Sequence, residues 1–434
     1  MSGGLIKPNV SHLKHMDIDV DNQIVQASNT TSRPYRLAIV TSHPIQYFAP
    51  LFKRLEQHTE IDLTVLYGSR HGATPSQDTD FGVSFAWDIP MLEGYKYKFL
   101  TNLWPGRLRG FFSCLNPVVI SEVRTGAYDA IIVFGWGHLT AWLAFAAAKF
   151  AGLPWMLYGD SVLLYQEENG RFKRLAKKIV LQQLFKYTGA FLVTGTFNRS
   201  FYEFYGAPSS KCFNVPLAVD NGLFIDGAKR ARERRTEIRE RYGIEPGAIL
   251  ILFVGKLIPR KRPQDLLAML KNLQPNFPRL GVVFVGEGQL RLDLQACIAK
   301  EGLKNTFLLG FKNQTELPSI YAMSDVFALP SMNDPKPLVT NEAMACGLPV
   351  VVSHKTGVWG PGDIVRDGYN GFVYPCGDIG ELARRVGTLA ADATLREQMG
   401  GRSLEIIQSS GYEQCVGGIL KALWSLSEPR QCVS

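Results

Sequence analysis

The chain has 434 residues, 46% of them hydrophobic and 20% charged, with a formal net charge of +8 at pH 7. That length suits two ordinary domains, and that composition excludes wholesale disorder. The positive excess admits nucleic acid, an anionic membrane or a phosphorylated ligand as partner, and nucleic acid finds no support beyond the charge itself.

Residues 1–34 are polar and aperiodic and read as a flexible tail. From Leu37 short β-rich runs begin: Leu37–Val40, Ile61–Leu66, Tyr97–Leu100, Ala130–Phe134, Pro154–Tyr158, Ala190–Val193 and Phe213–Val215. Helical or irregular stretches separate them, which implies βαβ units and a parallel sheet over a first domain, 35–220. The most apolar stretch, Leu139–Leu157, is broken by Lys149 and by Gly152-Leu-Pro154, so it reads as a buried helix turning into a strand rather than a membrane span. Near 171–187, Arg171, Lys173, Arg174, Lys177 and Lys178 interleave with Phe172, Leu175 and Ile179. A basic solvent face fits that pattern, and so does a helix lying on an anionic lipid surface. A charged helix is expected over 228–241, its bases offset by Glu233, Glu237 and Glu240 as on a solvated helix.

The alternation restarts at Ile249–Val254 and runs through Gly281–Val285, Thr306–Leu309, Val326–Leu329, Pro349–Val352 and Gly371–Tyr374. This gives a second domain, 221–410. A helical pattern within 411–434 follows and is expected to cross back onto the first domain. The fold class is therefore α/β, with two Rossmann-like doubly wound domains facing across a cleft. The seven cysteines stand singly, without a Cys-x-x-Cys pair, and no secretory pattern opens the chain. Reduced thiols and a cytoplasmic location are expected.

In open α/β sheets ligands sit beyond the carboxyl ends of strands, and the unusual residues of this chain fall there. After Ile249–Val254, Gly255 permits a close turn, and Lys256 and Lys261 can both reach one diphosphate. After Val326–Leu329, Ser331-Met-Asn-Asp-Pro-Lys-Pro337 leads into a helix starting near Leu338, whose first amides suit a phosphate. Glu342, eight residues beyond Asp334, can accept two hydroxyl hydrogen bonds from a ribose. In the first domain His43, Gln46 and Tyr47 follow the first strand, His138 the fourth, and Asp160 and Ser161 the fifth. Tyr47 reads as packing, and helix capping is an alternative for Asp160 or Ser161.

Asp334-x7-Glu342 followed by Ala-Met-Ala-Cys-Gly-Leu-Pro-Val, with Val254-Gly-Lys-Leu-x-Pro-Arg-Lys261, closely resembles the retaining glycosyltransferases of family 4, which have the GT-B fold. Val285-Gly-Glu-Gly288, Asp367-Gly-Tyr-Asn-Gly-Phe372 and Gly377-Asp378 extend the resemblance. Ser42-His-Pro-Ile-Gln-Tyr-Phe-Ala-Pro50 is similar to a bacterial polysaccharide-building branch. The resemblance implies transfer of a sugar from a nucleoside-diphosphate sugar to a glycan or lipid-linked acceptor, with retention, no cofactor and no metal. It implies that Lys256 and Lys261 neutralise the diphosphate and that Glu342 holds the ribose. Leu338 and Val339 would offer amides to phosphate, Asp334 would touch the donor sugar, Gly255 and Glu287 would lie in donor loops, and His138 would stand near the reacting sugar. His43, Gln46, Asp160 and Ser161 would line the acceptor side.

Two positions depart from that family: Asp334 replaces the usual Glu, and Lys336-Pro337 replaces an aromatic-Gly pair. Proline fixes the backbone and removes an N–H, so a changed donor sugar or a weakened enzyme is implied. The alternative of a different class is a noncatalytic sugar-nucleotide-binding protein of the same fold. A nicotinamide-dependent oxidoreductase is set aside, because Ser42-His-Pro-Ile-Gln-Tyr supplies no glycine after the first strand.

Overall fold

The computed structural model describes residues 33–73, 76–78, 83–85, 87–104, 110–164 and 171–427. The tail expected over 1–34 lies outside these residues except for its last two. In the first lobe the order is β1 (Tyr35–Thr41), α1 (Ala49–Gln57), β2 (Ile61–Tyr67), β3 (Ser76–Asp78), β4 (Val83–Phe85) and β5 (Lys96–Phe99). There follow α2 (Val118–Thr125), β6 (Ala130–Phe134), α3 (Leu139–Ala151), β7 (Trp155–Tyr158), α4 (Arg171–Tyr187), β8 (Ala190–Val193), α5 (Thr196–Phe204) and β9 (Cys212–Asn214). Seven of these strands form one parallel sheet, ordered β5-β2-β1-β6-β7-β8-β9. The short β3 and β4 pair antiparallel apart from it.

Runs such as Ala-Ile-Ile-Val-Phe in β6 are apolar throughout because helices cover both faces of a parallel sheet. The helix–strand junction after α3 follows from its residues. Gly152 takes a left-handed φ of 67°, its N–H and that of Leu153 close on the last turn, and Pro154 prevents continuation.

The second lobe runs α6 (Asn221–Glu233), α7 (Arg235–Arg241), β10 (Ile249–Val254), α8 (Gln264–Leu273), β11 (Leu280–Val285), α9 (Arg291–Glu301) and β12 (Thr306–Leu308). Then come α10 (Leu317–Met323), β13 (Val326–Leu329), α11 (Leu338–Ala345), β14 (Val350–Ser353), β15 (Gly371–Tyr374), α12 (Ile379–Ala391) and α13 (Ala393–Gln408). Its parallel sheet has the order β12-β11-β10-β13-β14-β15. The last described helix, α14 (Tyr412–Ser427), packs against α1, β8 and β9 of the first lobe. Tyr412, Cys415, Ile419 and Leu423 are buried there.

The single helix expected over 228–241 is instead two helices broken at Arg234, whose φ and ψ are −112° and 19°. The bases of this segment are not merely solvated. Arg235 and Arg239 both grip Asp325, at 2.6 and 2.8 Å, and Arg239 also donates to the Met323 carbonyl at the end of α10. Reorienting the chain at Arg234 lets two guanidinium groups reach one carboxylate.

Each sheet reverses its strand order once, between β1 and β6 in the first lobe and between β10 and β13 in the second. Crevices open at such switch points, beyond the carboxyl ends of the strands. Among the described residues no helix is long and apolar enough to cross a membrane, and the six cysteines they include are all thiols.

Candidate functional site

The second-lobe half of the site surrounds the β10/β13 switch. Gly255, at a φ of 151°, ends β10, and Gly286, at 129°, ends β11. A Cβ on Gly286 would lie 2.1 Å from the Gly255 carbonyl oxygen, so the two loops touch only because residue 286 is glycine. Leu257 N–H donates to the Glu287 carbonyl and Leu290 N–H returns to the Leu257 carbonyl, locking the loops together. The Glu287 carboxylate accepts from Arg291 at 2.9 Å and so is directed to α9.

Pro259–Lys261 form a single 3-10 turn, from which Lys261 reaches across to pair with Asp334 in the loop after β13. Only 12% of the Lys261 side chain and 10% of that of Asp334 are exposed. Ser331 also donates to Asp334, at 3.4 Å. The loop is braced from below: Asp334 N–H donates to the Lys355 carbonyl, and Gly357 N–H donates to Asp334. It ends at Pro337, which precedes α11 and provides no side-chain cap, so the helix begins at Leu338 and Val339 without a local acceptor from that position.

The first-lobe half surrounds the β1/β6 switch. His43, after β1, is bonded to Ser42 through Nδ1 at 2.8 Å, and its ring meets that of His71 edge-on at 5.3 Å. Burial first, then the neighbouring His71 and His138, lowers the His43 pKa to about 4. His138 stands at the start of α3, with Nδ1 3.1 Å from the Ser113 hydroxyl, and burial lowers its pKa as well. Burial therefore holds both imidazoles toward the neutral form. Asp160, after β7, touches solvent but is crowded by the cleft walls. Its pKa is raised by that desolvation and then by the charge of Asp334 across the cleft. The described residues directly after it, 161–164, are not helical, so it caps no helix there. The Ser161 carbonyl accepts from Asn198 at 2.8 Å.

The halves meet at Glu342, which is fully buried on α11. Tyr47, from the first lobe, donates to one carboxylate oxygen at 2.9 Å, and Tyr321, from α10, to the other at 2.8 Å. Desolvation outweighs both bonds and pushes the Glu342 pKa up to about 7. Tyr47 is thus a polar strut between lobes rather than packing alone, and Tyr412 donates to its carbonyl at 2.9 Å. Gln46 also approaches the Tyr47 hydroxyl. Both oxygens that could accept ribose hydroxyls thus accept from phenols in this structure.

The loops after β1, β6, β10 and β13, singled out in the sequence because each follows a strand, lie at the two switch points. Sequence reasoning read Tyr47 only as packing and did not reach Tyr321 or the partner of Lys336. The Lys336 Nζ lies 3.0 Å from Asp363 Oδ1, with 5% and 1% of the two side chains exposed. No local signal could have found these contacts, which join residues distant in the chain.

Residues 234–404 match the family described as glycosyl transferases group 1. The chain is 30% identical to an uncharacterized glycosyltransferase of Methanocaldococcus jannaschii, over 41% of this chain and 48% of that one. It is also 30% identical to the GDP-mannose-dependent alpha-(1-6)-phosphatidylinositol monomannoside mannosyltransferase of Mycolicibacterium smegmatis, over 47% and 53% of the respective chains. The matches thus span about half the length of these curated relatives. A crystal structure of Anabaena HepE in complex with UDP and glucose superposes with a TM-score of 0.67 at 19% identity, covering 90% of this chain and 100% of that one. At that identity the likeness concerns the fold, which is GT-B.

Proposed function

We propose that this chain is a glycosyltransferase that moves a sugar from a nucleoside-diphosphate sugar to a glycan or lipid-linked acceptor, with retention and without a resident metal. One observation carries the reading. The two switch-point regions meet through Tyr47 and Glu342, with Lys261 and the start of α11 in the second lobe and His43 and His138 in the first. The group 1 match over 234–404 and the UDP-bound neighbour of the same fold support it.

In this reading Lys256 and Lys261 meet the diphosphate together with the amides of Leu338 and Val339, and their charge stabilises the departing group as the C1–O bond breaks. Lys261 then exchanges Asp334 for phosphate, which releases Asp334 toward the sugar hydroxyls. The acceptor oxygen forms the new bond to C1 and its proton passes to a diphosphate oxygen on the same face, which gives retention. His138 and His43 stay neutral and position the reacting sugar and acceptor, with Gln46, Asp160 and Ser161 beside them. The nucleotide ribose displaces the Tyr47 phenol from Glu342. Gly255 and Glu287 shape the donor loops.

The acceptor side also carries a surface suited to anionic lipid. α4 buries Leu181, Leu184 and Phe185 but exposes Phe172, Leu175, Ile179 and Val180, the first to 89%. Lys173, Arg174 and Lys178 are exposed with them, and Arg171–Tyr187 contains no acid. A solvated basic face does not account for four exposed apolar side chains on one helix. We propose peripheral contact with the cytoplasmic leaflet through this helix.

The deciding experiment incubates the full chain with each common nucleotide sugar and measures released nucleoside diphosphate, with lipid and glycan acceptors supplied. Release from one donor supports the enzyme and names its sugar. Binding of a donor by thermal shift, with no release under any acceptor, moves the reading to a noncatalytic sugar-nucleotide-binding protein.

A further inference from the structure

The loop that carries Asp334 also carries Lys336, and Lys336 ends in a three-way contact between the lobes. Its Nζ lies 3.0 Å from Asp363 Oδ1 and 3.4 Å from the Gly357 carbonyl. The other Asp363 oxygen, Oδ2, accepts the Thr196 backbone N–H at 3.1 Å. Thr196 is the first residue of α5 in the opposite lobe, and its hydroxyl donates to the Pro361 carbonyl at 2.6 Å. Phe197 meets Trp359 edge-on at 5.1 Å beside them.

The local sequence is shaped for this contact. Gly195 precedes α5 and provides no side-chain cap, so the capping acceptor comes from the other lobe. A Cβ on Gly195 would lie 2.3 Å from Asp363 Oδ1 and 2.8 Å from Lys336 Nζ, and would force the ion pair away. The charges suit the place, because a carboxylate at a helix N-terminus is favoured by the helix dipole and the lysine compensates its burial. Lys336 lies two residues after Asp334 and two before Leu338, so whatever holds it fixes both the Asp334 carboxylate and the start of α11 relative to the first lobe.

We infer that Lys336 and Asp363 are positioning residues: their ion pair, closed on the N-terminus of α5, clasps the donor loop to the acceptor lobe in the alignment required for transfer. This rests on the glycosyltransferase reading for its consequence, but not for its existence. With the clasp broken, each lobe keeps its own ligand while the distance between acceptor oxygen and donor carbon is lost, so kcat suffers and the donor KM does not.

The test compares the full chain with Lys336→Met, Asp363→Asn and the neutral double variant. Amide hydrogen exchange without ligand is read over residues 195–201 and 355–363. Exchange is expected to rise roughly tenfold in both segments in each single variant, with the β6 and β10 amides unchanged, and to fall back in the double variant. With the active donor, kcat of the single variants is expected to drop roughly 100-fold at constant donor KM, and Lys336→Arg to retain most of it. Unchanged exchange in both single variants overturns the clasp. Raised exchange with full kcat overturns the positioning role and leaves a structural ion pair. A wild type that consumes no donor sinks the functional reading, and the exchange experiment then judges the clasp alone.

Discussion

At Lys261 chemistry and stability are coupled. The resemblance assigns Lys261 to the diphosphate, and its pairing with Asp334 in a nearly closed site gives it a part in folding as well. Lys261→Ala is expected to cost about 3 kcal/mol of stability, because it leaves a largely buried carboxylate without its lysine. Adding Asp334→Asn should recover most of the melting temperature and none of the activity. Recovery of both, in melting and product-release assays, would assign the lysine a purely structural role. Glu342 offers a second test. Its pKa is about 7 in the fold against an ordinary 4.5, so between those pH values the folded chain retains a proton that the unfolded chain releases. Stability from this group is thus fully present below about pH 4.5 and lost as pH rises through 7. Relative to Glu342→Gln, the wild type is expected to lose on the order of 3 kcal/mol across that window. A stability difference that stays level with pH would mean the carboxylate is ionised throughout.

Among the elements, α4 makes a prediction separable from catalysis. Replacing Lys173, Arg174 and Lys178 by Glu should abolish sedimentation with phosphatidylglycerol vesicles while leaving the melting temperature within about 1 °C, because exposed charges contribute little to stability. Equal sedimentation before and after reversal would leave α4 an ordinary surface helix. The elements themselves were largely legible. β6, β8, β10, β13 and β15 have the bounds that their apolar runs suggest, because a strand buried on both faces must be apolar throughout. The break at Arg234 was not legible, since the charge pattern runs through it without interruption. The site was legible as loops but not as contacts. Gly255, Lys256, Lys261 and Asp334 announce a cationic pole by type and place, whereas Tyr47 and Glu342 stand 295 residues apart and no periodicity joins them. At Lys336, likewise, the charge was visible in the sequence and its partner was not.

For the whole molecule, the two lobes are not independent segments of sequence. α14 follows the second lobe in the chain but completes the first, lying on α1, β8 and β9. A chain ending at Ser410 is therefore expected to lose the first lobe's cooperative melting, to bind a hydrophobic dye, and to keep a transition from the second lobe. An unchanged thermogram would mean that the first sheet is stable without its helix. The seam depends on the same helix, through Tyr412 and the carbonyl of Tyr47.

That arrangement also sets an order of events during synthesis. Domains ordinarily fold in the order in which they leave the ribosome. Here the sheet made first waits for sixteen residues translated after every strand of both sheets. While Leu217, Val215 and the backs of β8 and β9 await Ile419 and Leu423, the second lobe already has everything it needs. The nascent chain thus carries a finished second lobe and an uncovered first one, and the interval between them is when a chaperone has most to hold.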